Sequence, residues 1–168
     1  MSTGKKIELL NNRAKLSLQT IPSYGPDIDL TNYIKTSNKI KEVEDLNSLP
    51  EDVVERVKNI GIDLGGSVSS GTYMQVDHNL IYKKKLYPYV EILSLEDALK
   101  DEDFVEKYFW NLIDVGQDKF TAAAHLYGRG GYVIVSKENS ITEFPIQACL
   151  FIKSNETFQA PHNIIVAE

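Results

Sequence analysis

The side chains best suited to nucleophilic, acid–base or metal chemistry are the single cysteine, Cys149, and three histidines, His78, His125 and His162. Nucleophilic catalysis would need the Cys149 thiol or a serine hydroxyl within reach of an imidazole base. The three histidines lie far apart in the chain, and nothing in their spacing brings them together. Metal-ligand spacing is absent as well: there is no CxxC, HxxxH or HxxE pair. No catalytic and no cofactor-binding residue is therefore assigned. Cys149 and His162 stand as the two candidate metal contacts. Gly65-Gly66-Ser67-Val68-Ser69-Ser70-Gly71 has the look of a phosphate-cradling loop, but the lysine and hydroxyl residue that such a loop needs are missing. It reads as a surface loop.

The elements that must position these residues follow from periodicity. Lys5 to Gln19 spaces Ile7, Leu10, Ala14 and Leu18 on one helical stripe. Ile21-Pro22-Ser23-Tyr24-Gly25-Pro26 breaks the pattern, and 27–47 reads as a linker or surface arm. Ser48-Leu49-Pro50-Glu51 suggests a capping box opening a helix with Val53, Val54, Val57 and Ile60 inward and Gly61 at its C-terminal end. From Thr72 to Lys83 the period is two, with Met74, Val76, His78, Leu80 and Tyr82 on one parity of a single half-buried strand. Ser94-Leu95-Glu96-Asp97 opens a helical stretch toward Trp110, whose aromatic neighbours read as packing. Asp118 to Leu126 forms a further helix, ended by Tyr127 and Gly128.

After Gly130-Gly131 the chain is β in character: YVIVS, ITEFPIQACLFIK and HNIIVAE recur at about the spacing of one solenoid coil. In the middle run Phe144, Ile146, Ala148, Leu150 and Ile152 share one face. Cys149 is on the other, with Glu143, Gln147, Phe151 and Lys153, where solvent or a partner would reach it. The last run stops inside a strand, so the expectation is the front part of a longer protein with an open sheet edge. Three regions result: an arm and linker at 1–47, a mixed helix and strand region at 48–128, and a β core beginning at 129–168.

Composition excludes several classes. The 168 residues suffice for one core, burying roughly two-thirds of the surface of the unfolded chain. No run approaches the ~20 apolar residues of a membrane span, and the polar N-terminus lacks a secretion signal. One cysteine fits a reducing cytoplasm. A net charge of −6 with scattered lysines argues against a nucleic-acid face.

Several segments in order, YGPDIDL, LPEDVVERVKNIGID, SGTYMQVDHNLIY, DKFTAAAHLYGRGGYVIV, EFPIQACLFI and HNIIVAE, resemble the amino-terminal half of the SufB/SufD family of iron–sulfur cluster assembly proteins, most of all its compact archaeal members. The resemblance implies an α+β fold in which N-terminal helices lead into the first coils of a right-handed parallel β-helix. It implies a scaffold component, not an enzyme in its own right, working in the cytoplasm with a SufC-type ABC ATPase and a second SufB/SufD-type subunit or a second copy of itself. No nucleic acid or membrane partner is implied. With one thiolate the chain holds no cluster alone, since clusters take about four ligands; a cluster belongs to the full complex. Where the scaffold-type subunit has TYFRIN, this chain has Phe151 and Lys153, so that segment's sulfur-relay role does not transfer. His162 replaces an arginine of the scaffold-type FERT segment, which leans toward a SufD-like or archaeal single-type subunit. Two readings from other classes stand beside this one: a β-solenoid lyase, for which Asp77, Glu143 and Glu156 form no suitable set, and an interaction module that dimerises through its last strand.

Overall fold

The computed structural model describes residues 3–33, 39–63 and 67–168. Helix α1 (Thr3–Ser17) is followed, after a 3₁₀ turn at Leu46–Ser48, by α2 (Glu51–Asn59) and the strands β1 (Gly71–Val76), β2 (Asn79–Lys85) and β3 (Val90–Ser94). Then come α3 (Leu95–Ala98), α4 (Glu102–Tyr108), α5 (Lys119–Tyr127), β4 (Tyr132–Ser136), β5 (Ile146–Phe151) and β6 (Ile164–Ala167). The class is α+β, as expected. Two three-stranded sheets, ordered β2-β1-β5 and β3-β4-β6, share one plan. Each central strand has an antiparallel neighbour on one side (β2 or β3) and a parallel one on the other (β5 or β6).

The alternation of side chains along these strands sorts the core into layers. Tyr73 of β1, Ile146 and Ala148 of β5, Val90 and Ile92 of β3 and Ile134 of β4 meet between the two sheets. The opposite face of the first sheet, with Met74, Val76 and Cys149, packs on Val53 and Val57 of α2 and on Leu46 and Leu49. The opposite face of the second, through Val133 and Leu93, meets Leu95, Val105 and Phe109, with Ile7 and Leu10 of α1 beside them. The order is helix, sheet, sheet, helices. Both faces of β5 are thereby covered.

That layering corrects the reading of Cys149. The parity assignment holds, since Cys149 does lie opposite Ile146 and Ala148, but its face is roofed by α2 and the thiol residue is only 7% exposed. A strand packed on both faces need not alternate apolar with polar residues, so polarity along β5 does not report exposure. Burial pushes the Cys149 thiol up from its ordinary range.

Two local expectations are also corrected. Thr72 to Lys83 is a hairpin and not one strand: Val76 pairs with Asn79 and the chain reverses at Asp77-His78, where Asp77 takes φ 51°. Aspartate tolerates this left-handed region because its short carboxylate can bond locally. The Asp77 carboxylate accepts from the Lys153 and Ser154 amides at 2.8 and 3.1 Å and from the Ser154 hydroxyl at 2.7 Å. Burial alone would raise its pKa; these hydrogen bonds outweigh it and hold the carboxyl below its usual value. Second, Ser48 does not cap α2. It belongs to the 3₁₀ turn, and Pro50 occupies the cap position with no side-chain cap bond. The far end follows the expectation: Gly61, at φ 81°, donates to the Lys58 carbonyl while Ile62 donates to that of Val57, the paired bonds that close a helix on a left-handed residue. At α5 the Asp118 carboxylate accepts from the Phe120 and Thr121 amides, and the Thr121 hydroxyl oxygen accepts in turn from the Asp118 amide, so the helix begins where its sequence says.

The sheets are joined by a polar contact inside the core. Gln75, fully buried, accepts from the Gly131 amide at 2.8 Å through Oε1 and donates to the Asp77 carbonyl at 2.7 Å through Nε2. The buried Tyr73 hydroxyl donates to the Gly131 carbonyl at 2.8 Å, and the Leu95 amide donates to the same oxygen at 3.0 Å. Among the described residues no helix is long and apolar enough to cross a membrane.

Gln75→Leu keeps bulk but orphans the buried Gly131 amide, a loss of about 1–3 kcal/mol by urea denaturation; an unchanged midpoint contradicts the clamp. Cys149→Ser places a hydroxyl in an apolar cluster and is expected to cost about 1–3 kcal/mol, with the native thiol reacting with a disulfide reagent only after unfolding. Rapid labelling of the folded chain would put Cys149 back on the surface.

Candidate functional site

Trp110 is the chain's only tryptophan, and the structure builds its surroundings from both ends of the sequence. Helix α4 is anchored at its N-terminus by Asp101, whose carboxylate accepts from the Asp103 and Phe104 amides. Its last turn is closed by the buried Lys6, whose Nζ donates to the Val105 and Glu106 carbonyls at 2.7 and 3.0 Å and to Asn111 Oδ1 at 2.8 Å. The Asn111 amide group donates to the carbonyls of Glu106 and Lys107 at 2.9 and 2.7 Å. A cation and an amide thus converge on the carbonyls at the end of the helix, where donors and positive charge are favoured. The turn they fix holds Trp110 at φ 56°, a region that a bulky residue enters only at a cost of about 1–2 kcal/mol.

Two of the three histidines converge on that ring. His125 comes from α5, and His162 from the segment just before β6. Trp110 meets His162 edge to face at 4.6 Å between centroids and His125 at 5.7 Å, while His162 stacks on Phe109 at 5.2 Å with the planes 27° apart. His125 Nε2 donates to Asn11 Oδ1 of α1 at 3.0 Å. Between these rings lies a cavity of about 230 Å³, also lined by Ile7, Leu95, Leu99 and Ala124. A second, smaller one of about 130 Å³ lies against Trp110 and His162 and reaches Leu112, Ile113 and Ile165. Among the described residues, Trp110 Nε1 and His162 Nδ1 are buried and find no hydrogen-bond partner.

Electrostatics here favour the neutral imidazoles. Burial, and then the neighbouring His125, brings the His162 pKa down to about 4; burial lowers that of His125. The two candidate metal contacts are not brought together: Cys149 packs under α2 while His162 lines the cavity among the helices. Among the described residues no group of three or more His, Cys, Asp or Glu side chains is placed to hold a metal ion. His78 lines a separate groove of about 840 Å³ beside Asp97 and Arg129. There Asp97 is held well below the usual carboxylate range, by its hydrogen bonds to Lys100, Ser94 and Lys83. The meeting of His125, His162 and Trp110 had no signal in the sequence. It depends on a left-handed tryptophan and on contacts between residues more than a hundred positions apart.

The lowered His162 pKa sets a pH dependence. The unfolded chain, near pH 6.5 for histidine, takes up protons before the folded one does, so this contribution is full above about 6.5 and is lost as pH falls toward 4. Stability is expected to drop by roughly 1–2 kcal/mol between pH 7.5 and 5, with His162→Phe flattening the profile. Equal slopes for the two proteins would remove His162 as the cause.

No protein-family model matches the chain. Similar proteins are nevertheless found across most of its length. One from Methanothermobacter thermautotrophicus is 35% identical over 150 residues, covering 86% of this chain and 37% of its own. One from Archaeoglobus fulgidus is 38% identical over 114 residues, 68% of this chain and 31% of its own. A Pyrococcus horikoshii protein is 28% identical over 134 residues, 76% and 30% respectively. The chain spans about a third of the length of these curated relatives. All three carry the same description, and the segments that resembled the SufB/SufD pattern fall within a chain matched over most of its length, so it belongs to the iron–sulfur cluster assembly SufBD family.

Proposed function

We propose that this chain is a scaffold component of iron–sulfur cluster assembly, acting with a SufC-type ATPase and a second SufB/SufD-type subunit or a second copy of itself, in the cytoplasm and without an enzymatic activity of its own. The observation that carries the reading is the similarity to SufBD proteins of three archaea over most of the chain. The architecture is suited to it. Each sheet already contains a parallel pair, β1 with β5 and β4 with β6, and β5 and β6 stand at sheet edges. Parallel strands at an edge can accept further strands in the same sense, as the opening coils of a parallel β-helix would. Packing on both faces of β5 makes the platform rigid, as a scaffold for metal and sulfide requires.

A second reading is favoured by one feature: β6 exposes Ile165 (68%) close to Leu112 (99%) and Ile113 (54%). Such an apolar edge also suits a strand-mediated interaction module with no part in cluster assembly.

Co-expression with the ATPase and a second SufB/SufD-type subunit separates the two. The scaffold reading predicts a complex that survives size exclusion and gains a cluster on anaerobic reconstitution, whereas the chain alone stays colourless because it offers one thiolate. Self-association with no binding to either protein would favour the interaction module. A stoichiometric visible absorption band on the chain alone would contradict the shared-ligand account.

A further inference from the structure

We draw no further inference here: the strongest candidate, the exposed apolar surface where Leu112 and Ile113 of the loop after α4 stand beside Ile165 on the open edge of β6, belongs to the strand edge already described, and nothing in the structure shows what covers it.

Discussion

The carboxamide of Gln75 reaches from β1 to the Gly131 amide at the entrance to β4, beside a largely apolar cluster between the sheets. Gly131 answers with its carbonyl, which takes the Tyr73 hydroxyl from the first sheet and the Leu95 amide from the start of α3. The backbone of one residue at the entrance to the second sheet thus takes bonds from the first sheet and from a helix. Hydrophobic contact between the sheets would allow them to slide, because it has no direction; a buried hydrogen bond with every partner satisfied fixes one register. Gly131 can serve because it has no Cβ: at φ 111° a side chain there would run into the backbone of His162.

That closeness carries the constraint to the candidate site. Where Gly131 is held, His162 is held, and the Tyr132 amide donates to Asn163 Oδ1 at 3.2 Å to fix the approach to β6. Leu95 and Gly130, on either side of the same hub, line the cavity. The cavity's fourth side is α1, which places Asn11 on His125 and Lys6 on the end of α4. The sheet edges and the cavity therefore rest on the same frame. Strands β5 and β6 stand at the edges that the proposed scaffold role would use, while the helices on the far side of the second sheet enclose the aromatic cavity.

What the sequence revealed was local. The α1 stripe of Ile7, Leu10 and Ala14, the Asp118 start of α5 and the Gly61 end of α2 are encoded within a turn or two, and the structure has them there. The class, helices with short strands, was legible for the same reason. The misses are longer in range or hidden by parity. A two-residue turn preserves the even spacing of Met74, Val76, His78 and Leu80, so the hairpin at Asp77 looks like an unbroken strand until Lys153 and Ser154 arrive to bind its carboxylate. Cys149 looked exposed because only the folded chain brings α2 over its face. The meeting of His125 with His162 depends on the Trp110 turn, which Lys6 closes from the other end of the chain.

The most direct measurement of this account is hydrogen exchange at the Gly131 amide. Gly131 sits in a glycine pair next to a strand, where a loop amide would exchange within seconds to minutes, but its donation to buried Gln75 ties it to both sheets. The account predicts protection equal to that of the central amides of β1 and β4, so that it opens only with global unfolding. Exchange at the rate of an open loop would mean that the sheets are joined by apolar packing alone and that nothing polar fixes the wall of the cavity.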